Sequence, residues 1–199
     1  MKDMKLETER LVLKEINEAH IEDILRIRSN EVINQYVKRK SPKTNYDALE
    51  FILHIKRKTQ YKEIIFWGIA YKDTPNLIGT VCLWNFSEDR KIAEVGYELL
   101  PEYHKKGLMS EALQTVLEYG FNELQLLEIV ALTSRFNENS QQILLKHYFI
   151  LQEDKKDENH PDNIIFRLKK DNCKCIFNDY FFYTIVLFLI KRKVKIFKV

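Results

Sequence analysis

Glu94-Val-Gly96-Tyr-Glu98-Leu-Leu-Pro101-Glu-Tyr-His104-Lys-Lys-Gly107-Leu-Met109 decides the reading of this chain. An extended segment stops at a proline, crosses a short basic turn holding one glycine, and runs straight into a helix. The first turn of a helix has backbone N–H groups without intrahelical acceptors, and the helix dipole adds positive character at the same spot. A phosphate or pyrophosphate suits such a place. Glu94 and Glu98 are spaced evenly, so on a strand they share one face with Gly96 between them. An anion cradle beside a paired-carboxylate strand fits an enzyme that holds a phosphorylated cofactor and removes a proton nearby. The plain alternatives are a structural helix cap and two solvent-facing carboxylates.

Working outward, Glu7 to Ile16 reads as a first strand, and Ile21, Ile24, Leu25 and Arg28 recur at helical spacing within a helix from Glu18 to Asn34. After the basic loop Lys38–Lys43, Thr44 and Asp47 stand three apart like a capping pair and open a second helix. Ile64–Tyr71 and Leu77–Phe86 form a hairpin across Lys72–Asn76. Ile92–Leu100 is the next strand, Gly107–Asn122 a helix, Leu126–Thr133 a strand and Asn137–His147 a helix. Phe149–Glu153 and Ile164–Leu168 close the domain. Strand, helix, strand from Ile92 onward implies a parallel pair with a crossover, whereas the earlier hairpin is antiparallel. The expected fold is α/β with a mixed sheet.

His104-Lys-Lys-Gly107-Leu-Met109 resembles the (Gln/Arg)-x-x-Gly-x-(Gly/Ala) signature of the GCN5-related N-acetyltransferases (GNAT), with His104 and Met109 departing from it. Upstream, Leu6-Glu-Thr-Glu-Arg-Leu-Val-Leu13 resembles the opening strand of the Rim-type, ribosomal-protein N-terminal acetyltransferase branch. Downstream, Asn137-Glu-Asn-Ser140…Lys146-His-Tyr148-Phe149 resembles that family's Asn-x-x-Ser…Lys-x-Gly-Phe segment, with Tyr148 in the place of the glycine. The resemblance runs from about Leu6 to Leu168 and implies a single GNAT-like domain. Its sheet would be mixed and mostly antiparallel, with a splayed parallel strand pair and flanking helices.

It implies an acetyl-CoA-dependent N-acetyltransferase that moves an acetyl group directly to a primary amine, either a protein N-terminus or a small molecule. A weakly catalytic CoA-binding sensor or partner-binding protein of the same fold is the alternative. Backbone groups at Leu99 and Leu100 would pair with the pantetheine arm. His104, Lys105, Lys106, Gly107, Leu108, Met109 and Ser110 would hold the pyrophosphate, with Lys146 nearby. Asn137 would contact the pantetheine amide or cap its own helix. An alkyl ammonium must lose a proton before it attacks, so a general base is needed. Glu94 is the first candidate and Glu98 the second. Many family members protonate the departing sulfur with a tyrosine where this chain has Leu144, so Ser140 becomes the candidate donor and Tyr148 a second hydroxyl.

The chain has 199 residues, 45% of them hydrophobic and 31% charged, which describes one globular domain with a substantial core. Its three cysteines, Cys82, Cys173 and Cys175, imply no disulfide framework and do not complete a metal site, so no metal is expected and a reducing cytoplasm is the default. No apolar N-terminal stretch resembles a signal peptide. From Lys169 onward eight Lys/Arg stand against two Asp/Glu, which leaves residues 1–168 at −3 within a chain of +3. The basic character therefore belongs to the tail, and a nucleic-acid partner is not expected. Residues 1–170 read as the acetyltransferase domain and 171–199 as an apolar and basic extension. Its uninterrupted part, Phe181–Ile190, is about half the roughly twenty residues of a spanning helix. Packing on the body or across a homodimer, an interfacial anchor, and an extension without a role remain open, with firm membrane contact not expected.

Overall fold

The computed structural model describes residues 5–172, so the apolar and basic extension lies, but for Asp171 and Asn172, outside the described residues. Eight strands form one sheet in the order β1-β2-β3-β4-β5-β6-β8-β7. They are β1 (Leu6–Glu7), β2 (Leu11–Lys14), β3 (Ile64–Tyr71), β4 (Leu77–Trp84), β5 (Ile92–Leu99), β6 (Glu128–Ser134), β7 (Ile150–Leu151) and β8 (Asn163–Lys169). Every neighbouring pair is antiparallel except β5 and β6. The helices are α1 (Ile21–Ser29), α2 (Glu31–Asn34), α3 (Asn45–Gln60), α4 (Leu108–Asn122) and α5 (Glu138–Lys146). The expected mixed α/β sheet with flanking helices is what the chain builds.

Two apolar clusters sandwich the sheet. One joins Trp67, Val81 and Ala93 to Ala112, Val116 and Phe121 of α4 and to Leu144 of α5. The other joins Val12, Phe66 and Leu77 to Ile24 and Ile27 of α1 and Ile52 and Ile55 of α3. With both faces covered, β2 buries Leu11, Val12 and Leu13 alike instead of alternating.

Two expected elements break for identifiable reasons. The first strand divides because Thr8 turns the chain: its hydroxyl accepts from Leu11 N–H at 2.8 Å, and β1 folds back on β2. The helix drawn from Glu18 to Asn34 comprises a 3-10 turn, α1 and a separate α2. Asn30 interrupts it with extended backbone (φ −65°, ψ 123°) while its side chain caps Ile33 N–H, the local bonding that makes asparagine a helix starter. Thr44 and Asp47 do form a reciprocal capping box at the start of α3.

Candidate active site

The parallel pairing of β5 and β6 lasts three rungs, Ile92↔Glu128, Ala93↔Ile129 and Glu94↔Val130, after which the strands part. Hydrogen-bonded and open pairs alternate along an antiparallel ladder. Leu100 N–H bonds to Ile78 O, so on β5 the even-numbered residues turn their backbone groups to β4. Tyr97 and Leu99 therefore aim theirs into the gap left by β6. Leu100 is turned away from it.

The gap opens into a cleft of about 420 Å³. Tyr97, Glu98 and Leu99 of β5 line it, with His104, Lys105, Gly107, Leu108, Met109 and Ser110 from the turn and α4. Asn137, Ser140 and Lys146 come from α5 and its cap, and Val32, Ile33, Tyr36 and Val37 from α2 and the chain after it. Most of the residues singled out from the sequence thus meet around one space.

At the turn, Gly107 is left-handed (φ 74°) and serves as N-cap of α4 with no side-chain cap. Lys105 is left-handed too, at φ 58°. Among the described residues, none of the backbone N–H groups from Lys105 through Ser110 has a protein acceptor. A run of free donors at the N-terminus of a fifteen-residue helix, with two lysines lining the space, is an anion-binding geometry. The turn is braced from outside by Arg10, whose guanidinium donates to Lys106 O at 3.1 Å and pairs with Glu111 at 2.6 Å. Thr8 also bonds Glu111, so the short β1–β2 hairpin fixes the turn in place. His104 Nε2 lies 2.8 Å from Leu99 O, a contact that only a ring N–H makes favourably. Met109 is 5% exposed and packs into the sheet–α4 cluster, so its bulk does not obstruct the N–H groups.

Deeper in, Asn137 accepts from Ser140 N–H at 3.1 Å and caps α5. Tyr97 and Ser140 hydroxyls meet at 3.0 Å. Burial pushes the Tyr97 hydroxyl up to about 12, against the opposing effect of that bond, so it stays protonated. Behind the turn, Ser110 Oγ lies 2.8 Å from His147 Nε2, and Nδ1 of the same ring lies 3.2 Å from Gln114 Oε1. The amide oxygen requires the proton on Nδ1, which makes Nε2 the acceptor for Ser110. Burial, with Lys146 beside it, lowers His147 to about 4 and keeps the ring neutral.

The two carboxylates have different surroundings. Glu98 is held by two hydrogen-bond donors, Arg39 at 2.6 Å and Thr80 at 3.2 Å, with Arg28 a looser ion pair at 3.8 Å. Glu94 lies on the last rung before the strands part and lines a second groove with Asn85, Val130, Asp157 and Arg167. Asn85 Nδ2 donates to it at 2.6 Å, yet burial, aided by the negative charge of Asp157, raises its carboxyl above the ordinary range. Between them Gly96 leaves a bare patch of strand, where an added Cβ would meet Cys82 Sγ at 3.3 Å.

Glu94, Leu100, Lys106 and Tyr148 do not line the cleft, Glu94 facing the second groove instead. Leu100 is buried against α1 and α3, and the Lys106 ammonium sits 5.4 Å above the Tyr103 ring. Tyr148 is 59% exposed and left-handed (φ 62°), with its N–H bonded to Leu145 O and that of Phe149 to Leu144 O. Those paired bonds form the helix-ending motif that ordinarily takes glycine, so the residue there answers to backbone geometry rather than to chemistry. Sequence reasoning missed Tyr97, Arg28, Arg39 and His147. Their partners lie far along the chain, and no local pattern marked them. Among the described residues no group of acidic, histidine or cysteine side chains is arranged to hold a metal, and no helix is long and apolar enough to cross a membrane.

Residues 10–149 match the acetyltransferase (GNAT) domain family. The chain belongs to the GNAT family. This GNAT enzyme is an acetyltransferase, and it is 35% identical over 144 residues to YoaA, an uncharacterized N-acetyltransferase of Bacillus subtilis, covering 72% of this chain and 81% of the relative. The GNAT fold recurs in a putative ribosomal-protein-serine acetyltransferase from Vibrio cholerae, at 22% identity and a TM-score of 0.71, over 84% of this chain and 98% of that one. It recurs also in RimL, a ribosomal alpha-N-protein acetyltransferase solved with coenzyme A, at 14% identity and a TM-score of 0.69, over 81% of this chain and 95% of that one.

Proposed function

We propose that this chain takes acetyl-CoA as donor and a primary amine as acceptor, in the cytoplasm, with residues 1–170 as the catalytic unit. The run of free N–H groups from Lys105 to Ser110, opening onto the fork between β5 and β6, carries this reading. Those N–H groups hold a pyrophosphate, and Lys105 and Lys146 add charge. The backbone edge at Tyr97 and the Leu99 N–H receive an extended amide-bearing arm as an added strand, the Leu99 carbonyl being already taken by the His104 ring. Acetyl-CoA brings an acyl group already activated as a thioester.

The chain supplies position and proton transfer. Gly96 gives the amine access to the fork, about 7 Å along the strand from Glu94 on one side and Glu98 on the other. Glu94 acts as base through an intervening water, because its raised carboxyl is a stronger base than an ordinary one. Glu98, held by Arg39 and Arg28, serves as an anchor instead. As the nitrogen–carbon bond forms and the carbon–sulfur bond breaks, one proton leaves the amine for Glu94. Ser140 passes one to the departing sulfur while the Tyr97 hydroxyl reprotonates it, and solvent returns a proton to Tyr97 as Glu94 releases the one it took, so the protein ends unchanged.

The test is release of free thiol from acetyl-CoA against a panel of primary amines. Turnover with at least one amine above the rate of hydrolysis supports the proposal. Acetyl-CoA binding without turnover across the panel would favour a sensor. Ser140→Ala is expected to slow single-turnover transfer by about tenfold or more while leaving acetyl-CoA affinity within about twofold, since its hydroxyl matters as charge develops on sulfur. Tyr97→Phe should fall in the same direction by less. An unchanged Ser140→Ala rate would give the role to water.

A further inference from the structure

The inner end of the cleft is short of hydrogen-bond acceptors. Among the described residues Glu98 is the one carboxylate lining it, and Arg39 and Arg28, which do not line the cleft, both turn to that group. Arg39 Nη1 bonds Glu98 at 2.6 Å and its Nε bonds Asn34 at 2.9 Å, yet among the described residues its buried Nη2 has no partner. Arg28 is worse supplied. Its distance of 3.8 Å to Glu98 exceeds a hydrogen bond, and among the described residues its guanidinium donates to no acceptor. It lies flat on the Phe51 ring at 3.7 Å and borders a neighbouring cavity of about 320 Å³ with Lys40, Ser41, Glu50 and His54. Asp47 borders it too, but its carboxylate is used by the Lys43 and Thr44 N–H groups.

Arginine forks match carboxylate and phosphate geometry, and a partly buried guanidinium with unused donors, such as that of Arg28, favours an anion. The cleft itself disfavours a polycation, which would meet Lys105 and Lys146 there while Glu98, among the described residues the one carboxylate lining it, is already paired with Arg39. The wall formed by Val32, Ile33, Tyr36 and Val37 is apolar, and Val32 is 49% exposed at its edge.

We propose that the acceptor is an amine on an apolar body that also carries an acidic group, with Arg28 receiving the acid and Val32, Ile33, Tyr36 and Val37 the body. The inference rests on the amine-acetyltransferase reading and names its substrate class. With the amine at Gly96 and the acid near Glu98, the two ends stand about 7 Å apart, two residues along an extended strand. An N-terminal residue followed by an acidic one has this spacing, as does a small amino acid of similar length. Arg28 then sets specificity, and the proposal excludes polyamines.

The experiment measures thiol release with three probes: phenylalanyl-aspartate amide, phenylalanyl-asparagine amide and spermidine. The native chain is expected to favour the aspartate dipeptide over the asparagine one by about tenfold in kcat/KM and over spermidine by more. Arg28→Met should bring the first ratio to near one by raising KM for the aspartate probe, with kcat little changed, and Arg28→Lys should keep part of it. A longer peptide sharing the same first two residues separates the sources: turnover matching the dipeptide identifies a chain end, and turnover of the dipeptide alone a small molecule.

Equal turnover of the two dipeptides by the native chain, or preference for spermidine, would overturn the inference even if Arg28→Met does not fold. Acetyl-CoA-induced thermal stabilisation is read in parallel. Its absence would sink the acetyltransferase reading itself, whereas its presence beside a flat probe profile sinks only the substrate class.

Discussion

Gly107→Val is expected to remove the rise in melting temperature that acetyl-CoA gives the native chain, and to leave a folded protein. A ligand at about one hundred times its Kd stabilises the folded state by about 2.7 kcal/mol. For a chain of this size each kcal/mol moves the midpoint by about 2–4 °C, so the native shift should be about 5–10 °C. Gly107 adopts φ 74°, where a β-branched residue is strained. Its nearest neighbour beyond the turn is the Arg10 guanidinium at 3.6 Å, so the added side chain meets open space rather than core, and the cost falls on turn geometry. The valine rotates the turn and misdirects the N–H groups of Lys105 to Ser110. Differential scanning fluorimetry with and without millimolar acetyl-CoA decides it. A native shift that survives intact in Gly107→Val would show that the turn is not where the cosubstrate is held.

Glu94→Gln should lower kcat at neutral pH by about a hundredfold, equivalent to about 2.7 kcal/mol in the barrier. Activity should recover as pH rises toward the amine's own pKa, where the acceptor deprotonates unaided. The native acid limb should lie above that of an ordinary carboxylate, because burial raises the Glu94 carboxyl and the base form is lost sooner as pH falls. Glu98→Gln should behave differently: it leaves Arg28 and Arg39 without their shared counter-charge, so it should lower stability and raise acceptor KM, with a smaller change in pH profile. A Glu94→Gln profile parallel to the native one would transfer the role to Glu98 or to solvent.

The elements whose ends are fixed by local chemistry were legible in advance. Apolar runs joined by the turn Lys72–Asn76 marked β3 and β4, the Thr44–Asp47 box opened α3, and Pro101 with Gly107 marked the passage from β5 to α4. Where a short polar side chain bonds its own backbone, pattern alone failed. Thr8 divided the expected first strand and Asn30 the expected first helix, both through contacts within three residues that periodicity does not register.

The sequence by itself determined the sheet class, the glycine turn into α4 with its free N–H groups, and the shared face of Glu94 and Glu98, because each depends on residues a few positions apart. Only the tertiary structure decided how those parts differ in chemistry. It put Arg39 on Glu98, 59 residues away, and the Ser140 hydroxyl on Tyr97, 43 residues away. It also braced the turn with Arg10, whose Glu111 partner lies 101 residues along the chain. A carboxylate becomes a base or an anchor according to the charges folded around it, and those charges come from helices and loops whose positions are set by packing on the sheet rather than by anything written beside the carboxylate.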